Sequence, residues 1–103
     1  MRTIAFRMKL KPGCRAAYQQ RHAAIWPELV TLLHDAGIRE YRIFLDEQTD
    51  TLFAVQTVSG SGSQALGQTD IVQRWWAYMA DLMETNSDLS PVSEPLTEVF
   101  YMP

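Results

Sequence analysis

The spacing of apolar residues changes early in the chain, and that change constrains the fold more than any other feature. From residue 3 to residue 10, Ile4, Phe6, Met8 and Leu10 fall on one side while Ala5, Arg7 and Lys9 fall on the other. A period of two means a strand. Lys11-Pro12-Gly13 ends it. From Cys14 onward the spacing becomes three and four, through Tyr18, His22, Ile25, Leu29, Leu32, Leu33 and Ala36, which is the apolar stripe of a packed helix. Pro27 lies in the middle of that stripe. It removes a backbone donor, so the helix must kink or a new one must start there. Gly37 is a natural C-terminal stop.

Residues 38–46 and 51–58 are rich in strand formers, and Asp46-Glu47-Gln48-Thr49-Asp50 makes a short polar connection between them. That pattern predicts an antiparallel hairpin. Ser59 to Ser63 reads as a flexible loop. A second helix is expected over 70–84, capped by Thr69 or Asp70, with Ile71, Trp75, Met79, Leu82 and Met83 on its stripe. A closing strand is expected from Leu96 to Met102. The order β-α-β-β-α-β is the ferredoxin-like split unit, an α+β fold with an antiparallel sheet. The whole chain, 1–103, makes one domain.

Helices cover only one face of such a sheet. The strands nevertheless carry apolar residues on both faces, Leu52 and Ala54 against Phe53 and Val55. A homodimer that covers the second face is therefore expected.

Composition narrows the function. A formal net charge of −3 argues against nucleic acid as a partner, because phosphate backbones are held by clustered Lys and Arg. The single cysteine, Cys14, permits no internal disulfide, which suits a reducing compartment. The N-terminal segment has charges among its apolar positions, and no apolar stretch approaches the ~20 residues of a membrane span. A cytoplasmic protein with no membrane partner is expected. Three Trp, four Tyr and four Phe exceed what a minimal core requires, and such residues often line ligand pockets.

Tyr18 and His22, four apart, are stacked neighbours on the buried stripe. One reading is a core histidine bonded to a backbone carbonyl with a tyrosine packed beside it. The other is a general acid/base that titrates near neutrality, with a phenol to orient substrate. Cost favours function, since burying either group unpaired loses about 1–3 kcal/mol. Trp75 and Trp76 point about 100° apart. One belongs to the core and the other reaches the stripe's edge, where an aromatic face could carry the apolar side of a sugar. The spacing of His22 and His34 and the lone Cys14 offer no metal site. No phosphate loop or nucleophile elbow is present.

At these residues the chain resembles the L-rhamnose mutarotase family. The likeness lies in Tyr18-Gln19-Gln20-Arg21-His22, Ile25-Trp26-Pro27-Glu28-Leu29, Thr69-Asp70, Gln73-Arg74-Trp75-Trp76 and Tyr78-Met79. It continues in Ser90-Pro91-Val92 and in Glu98-Val99-Phe100-Tyr101-Met102-Pro103. The chain departs from the family pattern at Ala23-Ala24, where Asn-Pro is common, in the shortened 59–63 stretch, which lacks a tryptophan, and at 86–89. The resemblance implies a dimeric ferredoxin-like α/β-barrel, no cofactor, and interconversion of the α and β anomers of L-rhamnose. It also implies a proton-donor histidine at His22 and sugar contacts from Tyr18, Tyr41, Trp75 and Trp76. His22 would act as acid toward the ring oxygen while a base takes the anomeric proton. Two other readings suit a fold of this class: a cofactor-independent monooxygenase and a non-catalytic sugar-binding dimer.

Overall fold

The computed structural model describes residues 1–103. The alternating segment forms β1 (Arg2–Lys9), and the helical stripe is two helices, α1 (Arg15–Ala23) and α2 (Pro27–Asp35). Pro27 does not kink one helix. It opens the second at its first turn, where the missing N–H would have had no helical partner in any case. The hairpin is β2 (Ile38–Asp46) and β3 (Thr51–Val58), followed by α3 (Asp70–Met79) and β4 (Ser93–Pro95). The strands make one antiparallel sheet in the order β2-β3-β1-β4, the ferredoxin-like arrangement expected from the element order.

The core lies between the helices and one face of this sheet. Phe6 and Met8 from β1, and Leu52, Ala54, Gln56 and Val58 from β3, point into it; Tyr18, Leu29, Val72, Trp75 and Met79 meet them from the helices. The opposite face is uncovered in the single chain: Phe53 and Val55 are half-buried and Phe44 is 58% exposed.

Three expectations need correction. The helix over 70–84 ends at Met79 and tightens into a 3₁₀ turn at Ala80–Leu82. The backbone beyond is taken by the end of β1: Lys11 N–H donates to the Leu82 carbonyl at 2.8 Å, and Glu84 N–H donates to the Lys9 carbonyl at 3.0 Å. The closing strand is Ser93–Pro95, not Leu96–Met102. Leu96 N–H still reaches the Ala5 carbonyl at 2.9 Å, but the ladder stops there, next to a proline that has no N–H to give. The remainder of the tail is exposed, Val99 at 92% and Phe100 at 77%. Finally, the 59–63 loop is anchored at its end. Ser63 is buried and begins a 3₁₀ turn, Ser63–Leu66.

One irregularity shapes the site. In β2, Arg39 pairs with Thr57 but Arg42 pairs with Val55. Glu40 and Tyr41 together therefore oppose the single residue Gln56, which is a β-bulge. Glu40 takes the bulge's left-handed conformation, φ 50°. The extra residue reverses the strand's parity, so Ile38 faces the core and so do Tyr41, Ile43 and Leu45.

Candidate active site

A cavity of about 790 Å³ opens between α1, α2, α3 and the inner face of β2 and β3. That is an ordinary size for a small-molecule site. Tyr18, His22, Tyr41, Trp75 and Trp76, the five residues singled out in the sequence, all line it.

α1 supplies Tyr18 and His22 from one helical turn. Their rings lie 4.3 Å apart, centroid to centroid, tilted by 32°. His22 Nδ1 is 3.0 Å from the Tyr18 carbonyl. A carbonyl only accepts, so Nδ1 carries the proton, and Nε2 is the free nitrogen of the neutral ring. Nε2 has no protein partner, yet no buried side-chain nitrogen or oxygen is left unpaired; it is open to the cavity. The bond to a backbone carbonyl thus leaves the second nitrogen available, so the two readings of His22 do not compete. Burial lowers the His22 pKa below its usual value, partly opposed by the bond to Tyr18. At neutral pH the imidazole is uncharged.

The two phenols stay un-ionised. Burial, and secondarily the neighbouring Tyr41, push the Tyr18 pKa far up. Burial also raises that of Tyr41, against hydrogen bonding from Ser63 and Gln56. Both hydroxyls therefore keep their protons at neutral pH and are not bases.

The tryptophans divide as their 100° separation requires. Trp75 is core. Its indole meets His22 edge-on at 5.5 Å and Trp26 edge-on at 5.0 Å. Trp76 is half-buried and lines the cavity, its ring packed so closely over Gly67 that a Cβ there would come within 2.7 Å of it.

Behind His22 stands a wall that spacing did not reveal. Trp26 packs on Tyr78 at 5.6 Å, and Trp75 packs on Tyr78 at 5.7 Å. Arg21 lies 4.7 Å over the Tyr78 ring, and donates to the Tyr78 carbonyl at 2.7 Å and to both Asp81 oxygens at 2.8 and 3.2 Å. That guanidinium holds the Asp81 carboxyl below its usual range. The clamp ties α1 to α3 one residue before the histidine. Arg21 and Tyr78 belong to strings that resemble the family, but only the fold shows that they meet. No group of three or more His, Cys, Asp or Glu side chains gathers into a metal-binding cluster. No helix is long and apolar enough to cross a membrane.

Comparison with known proteins agrees with this geometry. The family model described as L-rhamnose mutarotase matches residues 3–102. A curated L-rhamnose mutarotase of Bacteroides thetaiotaomicron is 58% identical over 103 residues, and one of Formosa agariphila is 57% identical; each alignment covers 99% of both chains. A crystal structure of L-rhamnose mutarotase from Formosa agariphila superposes with a TM-score of 0.92 at 53% identity, covering all of both chains. A Mycobacterium tuberculosis structure, 13% identical with a TM-score of 0.55 over 98% of this chain and 97% of that one, shares the fold alone. With nearly its full length matched by that family model and by such relatives, this chain belongs to the L-rhamnose mutarotase family.

Proposed function

We propose that this protein interconverts the α and β anomers of L-rhamnose, an isomerase reaction, using His22 as its proton carrier. The observation that carries the assignment is the fixed imidazole: Nδ1 is held by the Tyr18 carbonyl and Nε2 is open to the cavity. Anomer exchange requires the C1–O5 bond to break while the anomeric hydroxyl loses a proton and the ring oxygen gains one. The open aldehyde then rotates about C1–C2 and closes on its other face. Since burial keeps the imidazole neutral, Nε2 enters as a base. It takes the anomeric proton while the ring oxygen takes one from solvent, and the imidazolium so formed is the acid of the reverse step. This order differs from the sequence expectation, in which His22 begins as the acid.

Tyr18 and Tyr41, both protonated, donate hydrogen bonds to sugar oxygens. Trp76 offers its face to the apolar side of the ring and its methyl group, and Trp75 holds the imidazole edge. The reaction is redox-neutral and these groups suffice for it, so no cofactor is invoked. A cytoplasmic location accords with the single free cysteine, Cys14. A homodimer accords with the apolar residues Phe44, Phe53 and Val55 of the outer face and with the exposed apolar tail, whose burial against a second copy would remove them from water.

The test is exchange NMR between the two anomeric signals of L-rhamnose, with L-fucose and related free sugars beside it. Acceleration for L-rhamnose above the buffer rate is expected. Exchange no faster than buffer would overturn the activity, and sedimentation as a monomer at micromolar concentration would overturn the dimer.

A further inference from the structure

Gln56 and Ser63 are the buried polar residues of the core, and the anomer-exchange mechanism uses neither. Gln56 is 0% exposed, in a strand with a neighbour on each side. Such a placement is costly unless every polar atom is paired, and here the pairing is specific. The Ser63 N–H donates to Gln56 Oε1 at 3.1 Å. Because an N–H can only donate, the amide orientation is fixed: the oxygen takes the Ser63 N–H, and the other end of the amide is the donor Nε2. Nε2 donates to Ser63 Oγ. That bond occupies a lone pair of the hydroxyl and leaves its hydrogen free to point onward.

The next group is Tyr41. The β2 bulge sets Glu40 and Tyr41 opposite Gln56 alone, which turns the Tyr41 ring inward beside this pair. Ser63 first, and then Gln56, pull the pKa of its phenol back down against the rise that burial causes, and Tyr41 and Ser63 line the same cavity. The loop that delivers Ser63 has little freedom to do otherwise. Gly62 has φ 91°, and a Cβ on it would approach Ile4 Cδ1 to 2.7 Å and Gln56 Oε1 to 3.2 Å.

We infer that Gln56 and Ser63 are positioning residues for Tyr41. They donate to its phenol oxygen and so direct its hydrogen into the cavity, toward a sugar oxygen. The chain of donors runs one way, from Gln56 Nε2 to Ser63 Oγ to the Tyr41 oxygen, and Tyr41 is its terminal donor. This rests on the reading of Tyr41 as a sugar contact.

A double-mutant cycle on the full-length protein, with exchange NMR read against L-rhamnose concentration, tests it. Tyr41→Phe should raise KM about three- to tenfold, the size of one lost neutral hydrogen bond, with kcat little changed. Ser63→Ala should do the same, and the double variant should be no worse than Tyr41→Phe alone. Ser63→Cys keeps the packing but gives only a weak S–H donor, so it should share the loss while melting like wild type. A wild-type KM in Ser63→Cys or Ser63→Ala overturns the positioning role, as do effects of Ser63→Ala and Tyr41→Phe that multiply. A wild-type KM in Tyr41→Phe instead overturns the sugar contact itself.

Discussion

The two faces of this sheet are built from alternate residues of the same strands, yet they differ in kind. The inner face is finished. No buried side-chain polar atom is left unpaired, and the face opens into a cavity lined by His22. The outer face is mixed and uncovered in the single chain: Phe44 is exposed and Phe53 and Val55 are half-buried, set beside Arg7 and Arg42. Because the side-chain period of a strand is two, neighbours such as Leu52 and Phe53 serve different ends: one fills the core of the monomer, and the other would meet a second copy in the proposed homodimer.

Substitutions on each face can break or sharpen that contrast. The largest effect is expected at the inner cavity. His22→Ala should lower the acceleration of L-rhamnose anomer exchange by about 10²–10⁴-fold, the usual worth of acid/base catalysis, while sedimentation stays that of wild type. Exchange as fast as wild type would remove the histidine from the mechanism. Next comes the pair on β3. Leu52 is 2% exposed, so Leu52→Ala should cost about 2–5 kcal/mol in chemical denaturation and leave the self-association of the folded protein unchanged. Phe53→Asp should do the reverse, with the dimer weakened about tenfold or more by sedimentation and the helix content retained. If the two variants exchanged phenotypes, the division between the faces would be wrong.

The smallest effect concerns pH. The His22 pKa is depressed in the folded protein, so below the unfolded value of about 6.5 the unfolded chain binds the extra proton more readily. Stability is then full above that value and declines as pH falls from there through the folded pKa. kcat/KM should follow the same direction, losing activity as Nε2 is protonated. A His22→Gln variant should melt with a flatter dependence between pH 7 and 5, and an unchanged dependence would assign the effect elsewhere.

The comparison also explains what could be read from sequence. Patterns repeated along one element were legible: the alternation of β1, the stripe from Cys14 to Ala36, and the punctuation by Pro27 and Gly37. Tyr18 and His22 were legible as a pair because the helix itself brings them together. The bulge left a trace that periodicity can detect in retrospect. Ile38 and then Tyr41, Ile43 and Leu45 break parity once, which is the signature of an inserted residue. Gln56, Ser63, Trp26 and the Arg21–Asp81 clamp had no such trace, because each acquires its meaning from a partner far along the chain. The tail was misread for a related reason. Its residues have strand propensity, but a strand requires a paired neighbour, and the ladder to β1 ends at Pro95 with one further bond from the Leu96 N–H.

The bond between His22 and the Tyr18 carbonyl has a further consequence. Both atoms ride on the same helical turn, so the reference that orients the imidazole moves with it. Any displacement of α1 against the sheet would carry the ring and its anchor together, so Nδ1 would keep its proton. The choice of which nitrogen faces the cavity is therefore stored locally, in four consecutive peptide units. In the proposed reaction the distant parts of the fold would have only to bring the sugar to it.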